Sequence, residues 1–271
     1  MKRISYALLI AVLVVGLAGC GDDSSSTGPD VKEDPPQIPD LTEVAQPDIS
    51  FFEENNPQGQ KGKQILEDEY SNFTTARFKA IFGTFFASFG QVYMGFLNPA
   101  YDNSPEFNDG EWEWSYNYSA EGQSMSMTFT AQDLGTSTEW AMYISYSDGQ
   151  GNGYEDYKVM QGSTTDDGAQ GSWTFNTLDE ENSTETPAAK TEWNAASDTE
   201  RTINTEIYDN GALDTTFDYE QNGVEHTMTF EEAGSADIDV VFWNTDTQTG
   251  YVIEDGSKMC WDANFQNVAC S

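Results

Sequence analysis

The sequence predicts a mainly β (α+β) domain: an antiparallel meander of about eleven strands preceded by one apolar helical segment. Three observations carry this expectation. Beyond Pro99, apolar and polar residues alternate with a period of two. Asn-Gly and Asp-Gly pairs punctuate the alternating runs. Residues 63–97 differ, because their apolar residues fall at helical spacing.

The helical segment comes first. Its apolar positions are Leu66, Tyr70, Phe73, Ile81, Phe85, Phe89, Val92 and Phe96, and strong helix formers fill residues 64–69. Gly83, Gly90 and Gly95 each weaken a helix by up to about 1 kcal/mol relative to alanine. Gly83, Ala87 and Ser88 also make a smooth face on which another element can approach closely. Residues 80–97 carry no charge, but polar Thr84, Ser88 and Gln91 interrupt the stretch. The expectation is a helix buried on most sides by the domain, with a membrane span as the alternative.

The strands follow. Trp112, Trp114, Tyr116 and Tyr118 share a face, as do Met125, Met127 and Phe129, and then Trp140, Met142, Ile144 and Tyr146. Trp173 and Phe175 continue the pattern, followed by Ile203 and Ile207, then Phe217 and Tyr219, then His226, Met228 and Phe230, then Ile238, Val240 and Phe242. Between them stand Asp148-Gly149, Asp167-Gly168, Asn210-Gly211, Asn222-Gly223 and Asp255-Gly256, which supply the positive φ angles of tight hairpins. No residue motif repeats with the strand spacing, which marks a meander and not a repeat family. A sheet this long hides its apolar face by curling into a barrel or half-barrel or by forming two layers. The preceding helix could fill or lid the concave side. In outline the arrangement is similar to the half-barrel carriers that move lipoproteins across the periplasm and their outer-membrane receptor, a likeness of architecture without a shared motif.

The amino terminus has a separate logic. Basic Lys2-Arg3 precedes an apolar run over residues 4–16, and polarity changes abruptly after Cys20. That order of regions defines a secretory signal peptide. Leu17-Ala18-Gly19-Cys20 resembles the lipobox of bacterial lipoproteins. The resemblance implies cleavage before Cys20, acylation of its sulfur and a new amino terminus there. Expected boundaries are therefore a signal peptide over 1–19, a disordered acidic, Pro-rich tether over 20–60 and a single domain over 61–271. Phe51-Phe52 is the first segment expected to dock. Gly21 after the cysteine favours the outer membrane by resemblance to enterobacterial sorting, whereas Asp22-Asp23 looks like surface-export tethers; the periplasmic face and the cell surface both stay open.

Formal charge is −36, from 47 acidic against 11 basic residues. Such a chain repels nucleic-acid phosphates and anionic lipid surfaces. The acids are spread along the sequence, as in a solvated coat that maintains solubility.

Cys260 and Cys270 remain once Cys20 is lipidated, an even pair in an oxidising compartment and hence an expected disulfide. His226 is the sole histidine and lies in register with Met228 and Phe230, as a structural core histidine does. The segment from Asp148 through Gln150 to Asn152 loosely resembles the start of a calcium loop, but Val159 occupies the position of the required bidentate glutamate. No cofactor is expected. Trp112, Trp114, Trp140 and Trp173 could line an apolar cavity or simply be core. The leading expectation is a non-catalytic, lipid-anchored envelope protein that binds an apolar ligand in its concave face. The rival is a structural or surface-interaction lipoprotein with a solid core and an envelope partner. A carbohydrate-active hydrolase stands third, since no carboxylate pair is singled out.

Overall fold

The structure, a computed structural model, describes residues 34–38, 44–55, 67–88, 104–120, 122–177 and 185–270. Cys20 lies outside these, as do Phe89, Val92 and Phe96 of the expected helix. Alternating sequence becomes strand as expected: β1 (Glu106–Asn108), β2 (Glu111–Ala120), β3 (Gln123–Asp133), β4 (Ser137–Ser147), β5 (Gly153–Thr165), β6 (Gln170–Asn176) and β7 (Pro187–Ser197). There follow β8 (Glu200–Asp209), β9 (Ala212–Asn222), β10 (Glu225–Glu232), β11 (Ile238–Asn244), β12 (Thr249–Glu254), β13 (Ser257–Trp261) and β14 (Asn267–Val268). Spatial order equals chain order, and every described neighbour pair is antiparallel. β1 and β14 do not pair with each other, so the sheet is open, and of the closures considered the full barrel is excluded.

Turn chemistry sets the hairpins. Asn210 (φ 50°) and Gly211 (φ 78°) join β8 to β9, and Asp255 (φ 49°) and Gly256 (φ 72°) join β12 to β13. Two successive positive φ angles match the right-handed twist of the strands they connect. The strand count exceeds the expected eleven because β1 and β14 are too short to show alternation. In β5, two register shifts against β4 break the alternation, and adjacent Val159 and Met160 are both buried.

The interior is a set of cross-strand rows; some set each indole against a small residue, whereas the row Trp114–Phe129–Met142–Met160–Phe175 is large throughout. One row runs Trp112–Ala131–Trp140–Gly162–Trp173–Thr191–Thr205–Phe217–Phe230 from β2 to β10. In other rows Gly171 faces Trp193, and Gly250 lies between Trp243 and Trp261. The absent side chain makes room for the indole. A Cβ on Gly171 would fall 2.4 Å from Trp193 Cζ2, and one on Gly250 2.3 Å from Trp261 Cζ2.

Two helices precede the sheet: α1 (Ser50–Glu54) and α2 (Ser71–Ala87), the latter following a 3₁₀ turn over Glu67–Tyr70. α2 lies against β8, β9 and β11 to β14. It buries Phe73, Ala76, Ala80, Gly83 and Ala87, the smooth face, against the sheet. The expected apolar face is corrected here, because Ile81 is 41 % and Phe85 66 % exposed. Close packing is the reason. A Cβ on Gly83 would sit 2.9 Å from Phe217 Cε2, leaving no room for a large side chain beneath the helix. α2 is therefore not buried on most sides, and no helix among the described residues is long and apolar enough to cross a membrane. Lys79 ties α2 to β11 and β12 through Asp239 (2.6 Å) and Glu254 (2.8 Å). Burial alone would lower its pKa, but hydrogen bonds to both carboxylates reverse that and raise it.

The segment before α2 also joins the core. Ala45, Phe51 and Phe52 are buried, and Phe52 packs on Phe73 at 5.5 Å and on Trp243 at 5.0 Å between centroids. Part of the stretch expected as tether over 20–60 thus belongs to the domain. Phe51-Phe52 docks as expected, and the docked stretch begins earlier, at Ala45.

A methyl group added within a strand normally gains about 0.5–1 kcal/mol over glycine. At Gly162 it would stand 2.1 Å from the Ser172 carbonyl and 2.7 Å from Trp173 Cε3. Overpacking costs about 1–3 kcal/mol, so the sign reverses. Gly162→Ala should lower the urea midpoint; an unchanged or raised midpoint would refute the large–small pairing.

Candidate functional site

The four tryptophans singled out from the sequence come together, but as packed rings. Trp112, Trp114, Trp140 and Trp173 are 8 %, 6 %, 3 % and 0 % exposed. Trp140 stacks on Phe129 at 5.3 Å, reaches Trp114 at 6.5 Å and Trp173 at 6.3 Å, and donates its indole N–H to Thr164 Oγ1 at 2.9 Å. Among the described residues the indole N–H groups of Trp112, Trp173, Trp243 and Trp261 find no hydrogen-bond partner. Each orphan donor costs about 1–3 kcal/mol. Burying an indole of roughly 150–250 Å² gains about 4–6 kcal/mol at ~25 cal/mol per Å². Apolar burial wins, and the rings serve as core.

Cys260 and Cys270 form the expected disulfide, with Cα atoms 5.3 Å apart. Its consequence reaches α2. The Asn72 side chain donates to the Cys260 carbonyl at 2.8 Å, while Asn267, inside the disulfide loop, accepts the Asn72 backbone N–H at 3.1 Å and donates to Ser71 Oγ at 2.9 Å. The closed loop supplies the cap of a helix nearly two hundred residues earlier.

The Asp148 segment folds as a self-contained turn between β4 and β5. Asp148 Oδ1 accepts the backbone N–H groups of Gln150 (2.7 Å) and Asn152 (3.0 Å), and Oδ2 accepts the Asn152 amide at 2.6 Å. These bonds, the Asn152 side chain first, hold the Asp148 carboxyl below the usual range. Both Asp148 oxygens, the charged part of the calcium candidate, are thus engaged by the loop's own donors. Among the described residues no group of three or more His, Cys, Asp or Glu is placed to hold a metal. Asp262 builds the same turn within the disulfide loop, accepting from Asn264 (2.9 Å) and Gln266 (3.0 Å).

His226 is buried as a core residue, stacked on Trp243 at 4.8 Å with Nδ1 2.9 Å from Tyr219 Oη. That hydroxyl accepts the Asp48 backbone N–H at 3.2 Å, and Arg201 donates to the Gln46 carbonyl at 2.9 Å. The segment before α1 is therefore docked on polar groups of β8 to β10. Burial lowers the His226 pKa, against a weaker opposing effect of Asp48, and burial raises that of Tyr219.

Open grooves lie on the opposite, polar face of the sheet. One, of about 490 Å³, crosses β7 to β10 and is lined by Glu192, Asn204, Asp218, Glu220, Thr227 and Thr229. Glu192, Asn204, Asp218 and Thr229 are successive cross-strand partners, and Asn204 donates to Asp218 Oδ1 at 2.7 Å. A second, of about 670 Å³, crosses β2 to β5 over Ser119, Ser124, Ser126, Ser145 and Ser147. Neither groove has a cationic side chain in its lining. Sequence reading missed them because such residues are also what any solvated strand face carries. The signal is their cross-strand register, which the meander topology makes traceable.

Replacing Cys260 and Cys270 by serine should cost about 2–3 kcal/mol for a loop of this size. It should also speed amide exchange at Asn72; exchange unchanged there would contradict the capping role. A lowered histidine pKa means that the unfolded chain binds the proton more readily, so this contribution is lost as pH falls through about 6.5. The stability gap between the wild type and His226→Gln should therefore narrow on acidification, and a gap that widens would contradict the buried neutral imidazole.

Comparison with protein-family models, with curated proteins and with solved structures finds no match to this chain.

Proposed function

We propose that this chain is a non-catalytic lipoprotein of the bacterial cell envelope, anchored through Cys20, whose sheet acts as a solid scaffold and presents its polar face to a partner. The membrane assignment rests on the lipobox-like Leu17-Ala18-Gly19-Cys20. The observation that carries the rest is the division between the two faces. The aromatic face is spent on its own core, with Trp173, Phe175, Phe217 and Trp243 fully buried. This favours the solid-core reading over an apolar ligand held among the tryptophans.

The partner's chemistry follows from the groove linings. Carboxylates, amides and hydroxyls without a cation repel anionic polymers and suit a hydroxyl-bearing one. An envelope polysaccharide fits this description, and outer-membrane placement follows the residue after Cys20.

Photocrosslinking in intact cells, with the reactive group placed at Thr229, tests the reading. The expected product is a glycan-containing adduct that falls at least tenfold when Asp218→Lys and Glu220→Lys are combined. Labelling that ignores these substitutions, or no adduct at all, would count against the polar face as the working surface.

A further inference from the structure

α2 carries two faces of opposite design. Its small residues meet the sheet, while Phe78, Ile81, Phe82 and Phe85 point outward at 71 %, 41 %, 48 % and 66 % exposure. These positions follow the i, i+3, i+4, i+7 spacing of an apolar helix stripe. Phe82 and Phe85 stack with centroids 6.2 Å apart. An outward stripe of three phenylalanines and an isoleucine is costly in water and marks a contact.

Two observations identify the occupant. The first is charge: α2 contains no acid, so its outward stripe is uncharged in a chain of net charge −36, while its two cations are turned to the domain, Arg77 to the Phe52 carbonyl and Lys79 to Asp239 and Glu254. The helix is thus a surface that a phospholipid headgroup layer does not repel. The second is where the amino-terminal chain runs. Gln46 donates to Ser88 Oγ at 3.2 Å, just past the end of α2 that bears Phe82 and Phe85, and Arg201 clamps the Gln46 carbonyl. The described chain begins at Asp34, so fourteen steps separate it from Cys20. Fully extended, that length spans at most about 50 Å, and as a flexible coil roughly 20 Å.

We infer that the outward face of α2 is a second membrane contact, lying in the interface of the bilayer that holds the lipid on Cys20. This rests on the reading of Cys20 as acylated. Amphipathic helices bury such faces about 5–10 Å into the headgroup boundary, and a lipid chain with a second signal gives stable attachment where one alone does not. The short link keeps the face within reach of the surface and so raises its effective concentration there.

The test uses the full chain purified from envelopes and reconstituted in phosphatidylethanolamine–phosphatidylcholine vesicles containing a lipid with a diazirine high on its acyl chain. Illumination should label the peptide holding Phe78 to Phe85. Phe82→Ser combined with Phe85→Ser should cut that labelling at least tenfold without shifting the melting temperature. An unlabelled α2 in protein whose Cys20 peptide bears acyl chains would overturn the inference, as would α2 crosslinked to a second copy instead of lipid. The mass of the Cys20 peptide reports the anchor independently. If it is unacylated, the anchor reading fails, whereas flotation of the Cys20→Ser chain that depends on Phe82 and Phe85 still supports the face.

Discussion

Each tryptophan in the middle of this sheet lies across from a residue that leaves room for it. Trp140 sits between Ala131 and Gly162, Trp173 between Gly162 and Thr191, and Trp261 opposite Gly250. Strands lie about 4.8 Å apart, so a small residue opposite an indole leaves the neighbouring strip of sheet free for the ring. Alternating large with small lets each ring lie over its neighbour's backbone. The consequence is a filled interior, and so the contacts proposed for this molecule fall on the polar face and on the helix surface.

The same economy governs α2. Gly83 and its flanking alanines bring the helix backbone close to Phe217 and Met228, so Phe78, Ile81, Phe82 and Phe85 are turned outward while Phe73 packs inward at the start of the helix. The disulfide loop fixes the start of the helix through Asn267, and Lys79 fixes its middle through two carboxylates. Phe52 closes the assembly by wedging between Phe73 and Trp243. Packing on one side of the helix thereby creates the exposed stripe on the other.

Much of this was legible in the sequence, and the failures share a cause. Strand alternation and the Asn210-Gly211 and Asp255-Gly256 turns are local properties, and they give the antiparallel meander directly, though not whether it closes. The disulfide follows from cysteine count and from the oxidising compartment that the lipobox resemblance implies. What could not be read locally was direction. Periodicity places Phe73, Ile81 and Phe85 on a helix, but only the rings of β9 and β10 beneath it decide that small residues face inward. Docking of Phe51-Phe52 was legible, but that of the residues from Ala45 before it was not, since the contacts of this segment with Tyr219, Arg201 and Trp243 span more than 150 residues. The polar grooves need register across several strands, which no single strand reveals.

On the proposed reading the aromatic face is a solid core and recognition happens outside it. Native mass spectrometry of protein extracted gently from envelopes addresses this most directly. The account predicts the mass of the polypeptide with its anchor lipid and nothing more in the interior. A stoichiometric apolar adduct, retained when the anchor is removed and lost when Trp140 or Trp173 is replaced by a smaller residue, would contradict it.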